Sequence, residues 1–377
     1  MPSERNRKIE SLHLFLRNFP HISTELTIIP RSLSFQSDPE DEIIRIFSGR
    51  WTHVRLEQFT LVDKLTQTLP CLRSLSCHLP LTYFHSPSLP ATPQLDNLQL
   101  TITEPLFFRP QNLMIPFHQI TTLCLLEAPW LNLTEALQQF INLQDLSIII
   151  SRRYDWTVTP LPNVILQLTS FSLIIQRPNI SAQYIVTLLD SLSLPIATRI
   201  TLAKTSYGRS GPWRGDSVLK FLSKSAATLT NLVLVAVPLP DGMLRKCLAT
   251  TPRVQELTFG EVKEPMRSPL GKSAGSQLLI TLEVPDPSKT SSIDEIILPE
   301  LRSLTLEGMV SFYEPNDLIA MISSRWRIDP GSHPNAVTRI GNLTLHCSGL
   351  SPRWLALVNP KLPRDMELVI GAPSFLS

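Results

Sequence analysis

Apolar and polar positions alternate in a six-residue unit that recurs along the chain. Its clearest copy is Leu301-Arg302-Ser303-Leu304-Thr305-Leu306. Residues two apart on a strand share a face, so Leu304 and Leu306 point one way and Ser303 and Thr305 the other. Copies with conservative replacements start at Leu72, Leu95, Ile120, Leu143, Leu168, Leu229, Val254, Leu279 and Ile340. Another opens at Trp51, a weaker one at Ala197, and a last one closes on Leu368 and Ile370. Ile9 to Leu14 and Leu26 to Ile28 form partial copies at the start. From Trp51 to Leu168 the starts lie 21, 23, 25, 23 and 25 residues apart.

Between copies the apolar period moves towards 3.6. Leu133, Leu137, Phe140 and Ile141 share one helical face, as do Ile185, Leu188, Leu189 and Leu192 after an N-cap at Ser181. Pro240-Asp241 opens a helix with Leu244, Cys247 and Leu248 inward. Asn316 to Arg327, entered through Pro315, is the strongest helix, with Leu318, Ile319, Ile322 and Trp326 inward. Asp38 to Glu42 forms an acidic turn before a short helix, Ile43 to Phe47. Leu69-Pro70 and Thr251-Pro252 mark helix stops, because proline disfavours helix at the residue before it.

A strand-bearing unit of roughly 20–29 residues carrying L-x-x-L-x-L is the signature of a leucine-rich repeat. The expected fold is therefore α/β: a solenoid or horseshoe with a parallel inner sheet and outer helices. Residues 1–50 are expected to form irregular N-terminal repeats or a cap, and 51–377 the solenoid. Rim loops are expected near 152–160, 204–215, 261–277 and 285–292, the last two flanking a strand over Leu278 to Val284.

The chain's 377 residues, 43% hydrophobic, suffice for a large core. A formal net charge of +2 gives no field that would draw nucleic acid or an anionic membrane. The 33 prolines against 13 glycines imply chain breaks made with fixed φ. The five cysteines form no C-x-x-C pair and their number is odd, which fits a reduced compartment, cytoplasmic or nuclear. Met1 to Glu10 lacks the apolar run of a signal peptide, so the sequons at Asn132, Asn179 and Asn342 are read as chance matches. The uncharged run Trp156 to Gln176 holds two prolines, and its second half, Val164 to Ile175, is read as a buried strand, not a membrane span.

The outward positions of the hexamers supply the candidate site. Ser74, Ser76, His78, Asn97, Gln99, Thr122 and Asp145 come from the first copies; Glu256, Thr258, Thr305, Glu307, Thr344 and His346 come from the later ones. Small polar side chains on a pre-formed face suit a broad contact with a protein partner. Tyr154, Trp156 and Trp213 lie in runs rich in arginine and aromatics; each either anchors a partner or packs over its own repeat. Cys77-His78 and His346-Cys347 are adjacent on strands and face opposite ways, so neither pair makes a metal site. No G-x-S-x-G, P-loop or dinucleotide fingerprint occurs, and neither an enzyme nor a cofactor is expected.

Pro299 to Leu306 followed by Asn316 to Trp326 resembles the C-terminal part of the fungal F-box/leucine-rich-repeat protein family. Leu12 to Arg17 and Gly49 to Leu56 are similar to the region that follows the F-box in that family. The resemblance implies a substrate receptor whose F-box docks on the adaptor of a cullin–RING ubiquitin ligase while the repeats hold a target. No F-box precedes Leu12, so adaptor docking is expected only if that module lies upstream. The leading expectation is thus a monomeric, non-catalytic interaction scaffold, with neither nucleic acid nor membrane as partner. The alternative is a leucine-rich-repeat binding or inhibitor protein unrelated to ubiquitin ligases.

Overall fold

The computed structural model describes residues 11, 14, 24–28, 51–56, 69–79, 92–102, 116–126, 137–151, 163–177, 180, 182–205, 213–237, 239, 242–261, 273–285, 296–327 and 337–371. The chain divides into two compact units, residues 1–149 and 150–377.

In the first unit β1 (Thr24–Ile28), β2 (Trp51–Leu56), β3 (Ser74–Leu79), β4 (Asn97–Ile102), β5 (Thr122–Leu126) and β6 (Asp145–Ile150) lie side by side in chain order. Every pairing is parallel. Leu75, Leu98, Leu123 and Leu146 fall in register and are buried, as are Cys77, Leu100, Leu125 and Ile148 two residues on.

The second unit holds a two-stranded ladder, β7 (Val164–Ile165) with β9 (Leu192–Ser193). Its main sheet is again parallel and in chain order. It runs β8 (Ser170–Ile175), β10 (Arg199–Lys204), β11 (Asn231–Val235), β12 (Glu256–Gly260), β13 (Ser303–Met309), β14 (Asn342–Ser348) and β15 (Glu367–Ile370). Helices α1 (Ala182–Ser191), α2 (Gly215–Ser223), α3 (Met243–Ala249), α4 (Ala274–Leu282), α5 (Pro315–Arg327) and α6 (Pro352–Val358) pack each against the next. The chain is thus mixed α/β, with long parallel sheets. Among the described residues no helix is long and apolar enough to cross a membrane.

One turn explains why the hexamer starts where it does. Its first residue donates its N–H to a carbonyl three residues back: Leu72 to Leu69, Leu95 to Thr92, Leu143 to Phe140, Val254 to Thr251 and Leu301 to Leu298, at 3.1–3.2 Å. That first residue is buried each time. Pro70, Pro93, Pro252 and Pro299 occupy the second turn position, where a fixed φ near −65° suits the bend. These prolines make the entrance to a strand, beyond the helix-stopping role expected for Pro70 and Pro252. The next N–H reaches back to the preceding repeat. Asp96 donates to Arg73, Thr121 to Asp96 and Gln144 to Thr121, at 2.8–3.1 Å. In the second unit the same relay runs from Thr230 to Thr198, Gln255 to Thr230, Arg302 to Gln255, Gly341 to Arg302 and Glu367 to Gly341, at 2.8–2.9 Å. Backbone ties of this kind fix the register that places every second side chain inward.

Several expectations need correction. Leu278 to Val284 is not a strand: Ala274–Leu282 is helix α4. Leu279 and Leu282 match positions one and four of the hexamer, but that spacing equally serves a helix, and Leu278, Leu279 and Leu282 form its buried face. Ser273 caps the helix by accepting the N–H of Ser276 at 3.1 Å, which decides for the helical period. Val164 to Ile175 is two strands with a break between them. Ile141 is 73% exposed, because a turn at 138–142 ends the helical spacing and leaves Phe140 as the buried residue, edge-on to Phe117. Leu192 is buried but belongs to β9, and Leu244 is only half-buried in α3. Ser181, Leu133, the acidic turn at 38–42 and the helix expected over 43–47 lie outside the described residues. So does most of each expected rim loop, although the second ends in α2 and the third in α4.

Candidate functional site

Strand alternation leaves the second set of positions facing away from the core. In the first unit Ser74, Asn97, Thr122 and Asp145 are register partners and form one row. Ser76, Gln99, Cys124 and Ser147 form the next. Asn97 is exposed, and the others are half-buried. His78 lies in β3 beside Thr101, but its side chain falls outside the described residues.

In the second unit Arg199, Asn231, Glu256, Ser303, Asn342 and Glu367 form one row. Ser172, Thr201, Val233, Thr258, Thr305, Thr344 and Val369 form a second, which is β-branched from Thr201 onward. Such side chains suit a pleated surface and present a flat band. Asn231 Nδ2 donates to Glu256 Oε2 across the strands. With its amide oriented to donate, Asn342 reaches Glu367 Oε2 at 3.2 Å. Arg199, Glu367 and Val369 are members that sequence reading did not single out, although the weak copies at Ala197 and Leu368 place them by position alone.

A third row pairs Gly260, Glu307 and His346. Glu307 was expected on the open face; it is 4% exposed, with Gly260 on its flank leaving room for its stem. His346 Nδ1 stands 3.7 Å from Glu307 Oε1. Behind this pair Tyr313 donates its hydroxyl to Glu307 O at 2.8 Å, and burial pushes its pKa well up. Cys347 faces the other way and donates its thiol to Leu306 O at 3.4 Å.

Of the aromatic candidates, Trp213 is 3% exposed just before α2, so it is a core residue and not a recognition anchor. Tyr154 and Trp156 lie outside the described residues. The cysteines are free. Burial raises Cys77 to about 12 and Cys347, beside Glu307, to about 12. Cys124 on the outward face is raised by burial more than its hydrogen bond with Ser147 lowers it. These three thiols stay protonated near neutrality and are poor nucleophiles there. Among the described residues no group of three His, Cys, Asp or Glu side chains could hold a metal ion.

What the rows can do chemically is donate and accept many weak hydrogen bonds over a broad area. Set beside known proteins, the chain matches no family model and no curated protein.

Proposed function

We propose that this chain is a non-catalytic protein-interaction scaffold built as a leucine-rich-repeat solenoid. In this reading it is the target-holding repeat region of an F-box-type ubiquitin-ligase receptor, working in the cytoplasm or nucleus. One observation carries it: strand after strand buries one face and turns a small, polar, half-exposed residue outward in register with its neighbour. The ascending order of parallel strands, with helices between the later ones, supports the solenoid. Target binding would use Thr258, Thr305 and Thr344 with Glu256 beside them, and the rows around Asn97 and Gln99 in the first unit.

The test is affinity capture of the protein tagged at its own locus, with and without Thr305→Arg plus Thr344→Arg. Those changes load the flat band and spare the buried leucines. Recovery of the cullin and its adaptor, together with a target that the double variant loses, is the expected result. A stable partner recovered with neither would favour the alternative, an inhibitor unrelated to ubiquitin. Full retention of every partner by the variant would remove this face from the account.

A further inference from the structure

Arg325, near the end of α5, is 0% exposed, and each nitrogen of its fork meets a main-chain carbonyl. Nε donates to Leu282 O at 3.0 Å, Nη1 to Leu298 O at 3.0 Å and Nη2 to Ile297 O at 2.6 Å. Leu282 ends α4, and Ile297 and Leu298 enter the turn before β13. Ser324 assists: its hydroxyl accepts the Val284 N–H at 2.9 Å and donates to Met321 O at 2.7 Å. One turn of α5 therefore holds both ends of the stretch that joins α4 to β13. The sheet itself does not run through that stretch, because β12 and β13 pair directly, Glu256 with Ser303 through Gly260 with Glu307.

We propose that α4 and the turn at Leu298 form a local unit that opens and closes without breaking the sheet, with Arg325 as its latch. Closing strips water from a guanidinium that meets no carboxylate among the described residues. The end of α4 supplies partial negative charge in return, and a planar fork satisfies three acceptors at once. Closing also holds Leu298 at φ +51°, a region that branched side chains disfavour. Opening relieves both costs. The buried Leu278, Leu279 and Leu282 oppose it and keep the unit shut at rest.

Hydrogen exchange on the whole chain tests this. Arg325→Lys keeps the charge but loses the fork. It is expected to speed exchange in α4 and at the Leu301 amide by about tenfold or more, one charge-assisted bond's worth, while β12 and β14 keep the parent rate. Arg325→Ala leaves three carbonyls around a guanidinium-sized space. Dilute guanidinium should slow α4 exchange in that variant, or restore its circular dichroism if it is unfolded, where equal urea or sodium chloride does neither. Acceleration of α4, β12 and β14 together would overturn the proposal. So would an unchanged α4 in the lysine variant, or guanidinium acting no better than urea.

Discussion

The carboxylate of Glu261 accepts the backbone N–H of Gly275 at 2.9 Å, so a half-buried acid sits on the amino end of α4. Burial raises its pKa above the ordinary 4.5, against the lowering effect of the Gly275 and Ala274 amides. The folded state therefore binds this proton more tightly than the unfolded state. Its contribution to stability is full at acid pH and is lost as pH climbs from the ordinary carboxylate value through the raised one. Glu261→Gln should flatten that slope. Denaturant midpoints measured across the acid range are expected to show the parent losing ground to the variant as pH rises.

Gly308 has φ +113°, and a Cβ there would strike the carbonyl oxygen of Glu261. Gly308→Ala should cost about 1–3 kcal/mol through strain and the backbone collision. At Gly341 a Cβ would meet nothing within 4 Å, and Gly341→Ala should fall within about 0.5 kcal/mol of the parent. Urea denaturation of the two variants side by side checks the contrast.

Leu304 is buried near the start of β13, and Thr305 beside it faces outward. Leu304→Ala should lose about 2–5 kcal/mol by leaving a cavity. Thr305→Ala removes only a strand-favouring side chain and should lose under about 1 kcal/mol. Equal losses at the two positions would contradict the inward–outward assignment.

Thiol labelling should order the cysteines by burial. Cys71 is half-buried and should react first, then Cys124, whose thiol burial holds in its protonated form. Cys77, Cys247 and Cys347 are buried and raised to about 12, 11 and 12, so they should label only on unfolding. Mass spectrometry of a native alkylation time course reads the order directly.

The parallel strands were legible because alternation is a one-dimensional signal: Leu98 and Leu100 say which way Gln99 points without reference to anything distant. What failed depended on neighbours. Leu279 to Val284 fits a strand and a helix equally, and Ser273 with the packing of Gly275 under Tyr313 decides between them. Glu307 occupies an outward position by count, yet it is buried where Thr305, two residues before it, is half-exposed. Trp213 could not be told from an interface anchor, since aromatic burial looks the same in composition whichever surface provides it. Arg325 gave no signal at all: a charged residue late in a helix reads as solvent-facing until the carbonyls around it are seen.

The turn that opens the hexamers at Leu72, Leu95, Leu143, Val254 and Leu301 is closed on itself, and the amide after it is tied backward. Nothing in that arrangement fixes how much chain may precede the turn. Leu72 and Leu95 lie 23 residues apart and Val254 and Leu301 lie 47, yet both later residues close their turns and enter strands in the same way. Insertions and deletions ahead of the turns can therefore accumulate over evolutionary time without displacing a single inward leucine. A lineage could diverge in length far faster than in shape.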